Sequence, residues 1–504
     1  MREPPRPAIG PALLFCLLCL LGSPAQAQDL LRHRLSALSY MQQQLELADA
    51  LQSTAQGVEI EQVQALNHKA RASVSLSSMF SSQAGSWPFE PFVHNGLFRV
   101  IAGYQPQHPQ VVVVRGGSIG LAQLHQALGN ERVMSRHKDG YLLSYPLLIA
   151  PGAALNIEDD TLYLQVQSGT ALINQGELYL RNATLTSWSG GQHADSQPAF
   201  RPFVMAWAGS RTIILDSTLN RLGYNAHLAH GLTLARNAQQ SANLAPASLL
   251  LRNSWISELS SGAELHQALA RIEDSHFDDL QQYALDLRDS RISLVDNRIS
   301  KVKNQSAIRV RGASSGIIEG NVILGTGKAG LELQGQHGDL LLRQNVIGAA
   351  KGNGILLRQV DTQGTQLVLS ANTISSTDGS GIDGEGVGNI FLIGNRIGLT
   401  PEYAISFSNP AVPNARLVLV DNQLSNTGKA MIRTAGIERV VLGNNHYQMA
   451  GPGQQLLAGD LMPVQSLLMD ATVSHPCMVE VLIAPTTEAN PGANLPKNCR
   501  SDKL

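Results

Sequence analysis

One pattern returns seven times between Gln281 and Tyr447. An apolar triplet leads to an asparagine and a further apolar residue, as in Ile292-Ser293-Leu294-Val295-Asp296-Asn297-Arg298-Ile299. The asparagines are Asn297, Asn321, Asn345, Asn372, Asn395, Asn422 and Asn445, at intervals of 24, 24, 27, 23, 27 and 23 residues. A repeat of that length marks stacked supersecondary units rather than a conventional globular core. Each unit holds two or three Val/Ile/Leu runs of three to five residues separated by Gly, Asn, Asp and Ser, too short for helix pairs. The fixed leucine frame and helical return of a leucine-rich repeat are missing. The repeat therefore predicts an all-β chain, a parallel β-helix, with the asparagines turned inward at a turn as a structural ladder.

Composition agrees. The 504 residues include 46 Gly, only 5% are aromatic and 15% charged, which suits many short coils. A net charge of -2 shows no basic surplus and disfavours a nucleic-acid partner.

Residues 1–27 combine Arg2 and Arg6, an apolar run from Ala12 to Leu21, and Ala25-Gln26-Ala27. That is the form of a cleavable secretory signal, too short to span a bilayer, so export and a non-membrane-spanning mature chain are expected. In an oxidising compartment the remaining pair, Cys477 and Cys499, is expected to form a disulfide; two free thiols are the alternative. From Asp29 to Ala72, Leu31, Leu35, Leu38, Leu45 and Ala48 recur at amphipathic-helix spacing, which predicts a helical segment over 28–82. It would cap an open solenoid end or dock a partner. Residues 83–150 read as a mixed cap with a strand at Val111–Val114 and a helix from Gly120 to Leu128. Coils fill 151–450, and 451–504 is a Pro-rich C-terminal cap carrying the two cysteines.

Strand alternation gives the surface of the coils directly. If Leu285 and Leu287, or Ile308 and Val310, point inward, their neighbours point out. One outward column is then Asp286, Arg309, Glu332, Leu356, Asp383 and Ser406; the other is Arg288, Arg311, Gln334, Arg358, Glu385 and Ser408. Coils about 4.8 Å apart set Arg288 over Arg311, which is unfavourable unless anions lie between or over them. Either Asp286 and Glu332 supply those anions, giving a solvated mixed-charge face, or the guanidinium groups meet the carboxylates of a polymer.

Phe200-Arg201-Pro202-Phe203-Val204-Met205-Ala206-Trp207-Ala208-Gly209-Ser210, with Leu222-Gly223-Tyr224 after it and Gly116-Gly117 and Pro146-Leu147-Leu148 before it, resembles the periplasmic mannuronan C5-epimerases of alginate secretion. The resemblance implies a right-handed β-helix in the periplasm that holds an acidic polysaccharide in a groove, within an exopolysaccharide biosynthesis and secretion system. It also implies an Asp-Pro-His-Asp motif on one coil and an arginine on the next. Aligned by the coil period, that motif falls on Ala307-Ile308-Arg309-Val310-Arg311-Gly312 and the arginine near Gly335, so the acid/base groups are absent there.

The sequence reading is thus a carbohydrate-binding β-helix that guides an acidic polysaccharide without epimerase chemistry. Its substrate contacts would be Asp286, Arg288, Arg309, Arg311, Gln334, Arg358, Asp383 and Glu385. An epimerase or lyase with relocated groups is the alternative, with His337 and Glu332 as an acid/base pair, or Tyr403, reaching the groove. His227 and His230 beside Tyr224 form another pair, without a third ligand for a metal. No cofactor motif is present. A third reading is a scaffold for other secretion proteins.

Overall fold

The computed structural model describes residues 31–38, 40–54, 70–80, 87–190, 200–361, 365–409, 412–449, 451, 454–474 and 478–485. The signal, Cys477 and Cys499 lie outside the described residues.

The chain winds into a right-handed parallel β-helix with one strand per coil in each of three sheets of 15, 15 and 14 strands. In a regular coil, Leu285–Arg288 belongs to the first sheet, Arg291–Val295 to the second and Arg298–Val302 to the third. Short strands form because β-branched and leucine residues pack inward at every second position, where Leu285, Leu287, Ile292, Leu294, Ile308 and Val310 are fully buried.

The asparagine ladder occupies the turn between the second and third sheets. Asn297 Nδ2 donates to Asn321 Oδ1 at 3.0 Å and to the Ile272 carbonyl at 2.9 Å, while its backbone N–H donates to the same Asn321 oxygen at 3.1 Å. The arrangement repeats through Asn321, Asn345, Asn372, Asn395, Asn422 and Asn445, so each buried amide is satisfied by the coils beside it. The left-handed backbone at this turn falls on the residue before the asparagine, as at Asp296 (φ 54), Gln344 (φ 56) and Asp421 (φ 58), not on the asparagine. Serines continue the ladder upstream. Ser275 N–H donates to Asn297 Oδ1, and Ser254 N–H to Ser275 Oγ, in coils where the asparagine repeat is absent.

The N-terminal segment departs from the helical expectation. Leu31–Leu38 is a strand, antiparallel to Met478–Pro485, which in turn pairs antiparallel with Arg439–Gly443. These two strands, from the first and last described segments, thus extend the second sheet at its C-terminal edge. Among the described residues there, only Tyr40–Thr54 is helical. Leu47 and Ala50 of this helix pack on Leu341, Val368, Phe391, Val418 and Val441, and Glu46 pairs with Arg416. This explains why second-sheet strands such as Leu367-Val368-Leu369 are apolar throughout instead of alternating: both faces are covered. The helix Leu121–Leu128 and the strand Gln110–Arg115 match the sequence reading.

Candidate functional site on the first sheet

Strand register reproduces both outward columns. Asp286 pairs with Arg309, Arg309 with Glu332, Glu332 with Leu356, Leu356 with Asp383, and Asp383 with Ser406. The second column runs Arg288, Arg311, Gln334, Arg358, Glu385 and Ser408 through the same pairings.

The arginines do not all face outward to a polymer. Asp286 grips Arg309 with two hydrogen bonds, to Nε at 2.9 Å and Nη2 at 2.6 Å, and accepts from Arg311 Nη2 at 3.1 and 2.9 Å. Arg309 also lies over the Tyr283 ring, 4.1 Å from its centroid. Burial pushes the Asp286 carboxyl up, but the hydrogen bond and charge of Arg309, with the charge of Arg311, outweigh it and hold the carboxyl below its usual range. Arg358 pairs with Asp383 at 2.6 Å and reaches Glu385 at 3.6 Å. Of the four arginines Arg288 is the most open, its side chain 58% exposed with Asp289 at 3.4 Å as its ion-pair partner.

The acid/base pair read from the sequence does not assemble. Glu332 accepts from Ser306 Oγ at 2.6 Å, whereas His337 is an exposed turn residue whose Nδ1 meets the Gly335 carbonyl at 3.2 Å. Tyr403 is taken up by Lys429 and Arg433, which lie over its ring.

A different group gathers at the N-terminal end of the columns. Glu264 pairs in register with Asp286, and His266 with Arg288, extending each column by one coil. His230 Nδ1 lies 2.9 Å from Glu264 Oε1. His230, Glu264, His266, Tyr283, Arg309 and Arg311 line a cleft of about 310 Å³. Burial pushes the His266 imidazole down, toward its neutral form, and raises the Tyr283 phenol. His266 Nε2 and Arg311 Nε are buried with no hydrogen-bond partner among the described residues. Glu264 and His266 were available to the same alternation argument, since Ala263 and Leu265 are the inward residues. The signal was weak because the pairing of their strand with Gly231–Ala235 shifts register. Among the described residues no cluster of His, Cys, Asp or Glu is arranged to hold a metal, and no helix is long and apolar enough to cross a membrane.

The comparisons bear on this geometry. The family described as right handed beta helix region matches residues 240–397. The mannuronan C5-epimerase of Pseudomonas aeruginosa is 30% identical over 141 residues, covering 26% of this chain and 25% of that protein. The chain resembles the mannuronan C5-epimerases. The Azotobacter vinelandii relative, mannuronan C5-epimerase AlgG, is 29% identical over 134 residues, 25% of this chain and 26% of its own. The alignments with these two relatives therefore span about a quarter of their length. The crystal structure of the periplasmic alginate epimerase AlgG matches the fold with a TM-score of 0.66 at 16% identity, over 76% of this chain and 94% of that one. Within this epimerase-like chain, Asp286-Leu287-Arg288-Asp289 has acids at both ends of a four-residue stretch, and Arg309 and Arg311 stand on the following coil.

Proposed function

We propose that this chain is a periplasmic protein that binds an acidic polysaccharide along the first sheet, and that Asp286 performs no epimerase chemistry. The observation that carries the second half is the clamp on Asp286. A general base needs an accessible lone pair and a pKa near the working pH. Asp286 has both carboxylate oxygens engaged by guanidinium groups and its pKa held down. The acids and histidine that the resemblance implies are also replaced on the strand the coil period selects, by Arg309, Gly312 and Arg311.

Binding rests on the exposed Arg288, the half-buried Arg311 and Arg358, and the polar Gln334 and Glu385 beside them. A planar guanidinium suits a carboxylate presented from outside. The relatives are named for action on mannuronan and alginate, which are acidic polysaccharides, and this supports the same substrate class here. Calorimetric titration with several polyuronates at low salt tests the proposal, with Arg288→Ala as the comparison. Heat that is absent for every acidic glycan sinks it.

A second reading is favoured by one specific feature, the His230–Glu264 contact beside His266, Tyr283 and the arginines. These groups are of the type that moves a proton next to a neutralised carboxylate. Proton NMR of a uronan incubated with the protein in deuterated water separates the readings: C5 exchange or unsaturated chain ends would overturn the non-catalytic one. The scaffold reading is weakened because the helix Tyr40–Thr54 already spends its apolar face on the second sheet.

A further inference from the structure

The outward column of the first sheet changes character along the solenoid. Upstream of Glu264 it continues in register through Thr233, Met205, Ile173, Leu148 and Val113, of which Leu148 is half-buried and the others are buried to 2% exposure or less. Phe89, Phe92, Leu97 and Ile101 pack in the same cluster as Met205, Ile173 and Val113. The sheet face that is polar and open from Arg288 onward is therefore apolar and covered before it. A wall stands at the change. Asn225, His227, Leu228 and His230, from the loop before Gly231–Ala235, line the 310 Å³ cleft together with Arg309 and Arg311.

This wall is held from several sides. Tyr224 Oη donates to the Asn95 carbonyl, and Asn95 Nδ2 donates to the His227 carbonyl at 3.1 Å. Tyr224 N–H donates to the Ala229 carbonyl at 2.8 Å, and the Phe200 ring packs 5.1 Å from the Tyr224 ring. Gly223 (φ 74) allows the loop to close, since a Cβ there would lie 2.2 Å from the His230 carbonyl carbon.

We infer that the groove is closed at this end, so that it takes an acidic glycan by a chain terminus, the last sugar abutting the His227–His230 wall. The inference rests on the glycan-binding reading above. From Arg288 to Ser408 the second column makes five inter-coil steps of about 4.8 Å, a run of about 24 Å of exposed and half-buried residues leading to the cleft. The cleft is at the low end of the about 300–1,000 Å³ usual for ligand pockets, room for a terminal sugar unit. His230, Glu264, His266 and Arg311 supply the polar and charged side chains of its lining.

The experiment is calorimetry with the intact mature protein and oligouronates of increasing length, dosed by chain ends. Expected is one protein bound per chain at every length. Reduction of the reducing end, or unsaturation of the non-reducing end, should weaken binding about tenfold for one of the two. Several proteins bound per long chain, or indifference to both end modifications, overturns the closed groove while leaving glycan binding intact. No binding to any oligomer removes the underlying reading instead.

Discussion

Replacing Asp286 by Asn should have two effects of opposite sign. The side chain is nearly isosteric, but it removes the charge that faces both Arg309 and Arg311. Breaking a buried ion pair from one side costs about 3–5 kcal/mol because it strands the other charge. Here the stranded guanidinium groups keep 20% and 26% side-chain exposure, so the lower figure of about 3 kcal/mol applies. At about 2.1 cal/mol/K per residue, a chain of this size melting as one unit has an unfolding entropy near 1 kcal/mol/K, so that loss lowers Tm by about 3 °C. The pH dependence has a definite sign. A carboxyl held below its unfolded value of about 3.9 stabilises the fold above that value, and the gain is lost as pH falls through the depressed folded pKa. The wild-type advantage over Asp286→Asn should therefore be full at neutral pH and shrink progressively below about pH 4. Meanwhile the released arginines face the groove, so binding of an acidic glycan should tighten and become more salt-sensitive. Urea denaturation from neutral to acid pH, with glycan titrations at two salt concentrations, measures all three. A variant as stable as wild type at neutral pH, with the same acid profile, refutes the clamp.

Asn345→Ala should cost at least about 2 kcal/mol in urea denaturation. It leaves the buried Asn321 N–H without its acceptor, at about 1–3 kcal/mol, and removes the Asn345 amide's own bonds to Asn372 and the Ile318 carbonyl. Deleting residues 28–54 should uncover Val368, Phe391, Val418 and Val441, detectable as new dye binding and concentration-dependent association, with glycan binding on the first sheet retained. Arg288→Ala should leave unfolding stability within the about 0.5 kcal/mol typical of surface changes while weakening glycan binding about tenfold at low salt, by calorimetry; unchanged affinity removes Arg288 from the site.

The regular coils were legible because their determinants are local and repeated. Inward Leu287 and Val310 fix the faces, and the asparagine at each turn fixes the register, so both outward columns follow from alternation alone. What sequence could not supply was long-range. Leu31, Leu35 and Leu38 fit a helical spacing, but Leu35 is a strand residue paired with Val481, a contact that leaves no trace in its neighbours. The destination of each charge was equally hidden. Alternation sends Arg309 and Arg311 outward, yet which anion they meet depends on whether Asp286 can reach both, and that is a matter of side-chain geometry across coils. Glu264 and His230 were separated by a loop whose path only the fold reveals.

The same geometry ties the clamp to the closed groove. Two unpaired guanidinium groups at the blind end would hold a terminal carboxylate too strongly to release and would repel one another through the coils. Asp286 offsets that repulsion and lowers the field at the cleft, leaving Arg288, one strand position farther along and exposed, to meet an incoming charge. An acidic glycan should then bind weakly, with a salt dependence of about one charge per end, instead of the steep dependence that three free arginines would give. Neutralising Asp286 should convert the first behaviour into the second, whereas Arg288→Ala should reduce the salt dependence to what Arg311 and Arg358 supply. A salt slope that is steep in the wild type would mean that Arg309 and Arg311 leave Asp286 when the polymer arrives, and the clamp would then be a closed state that binding opens.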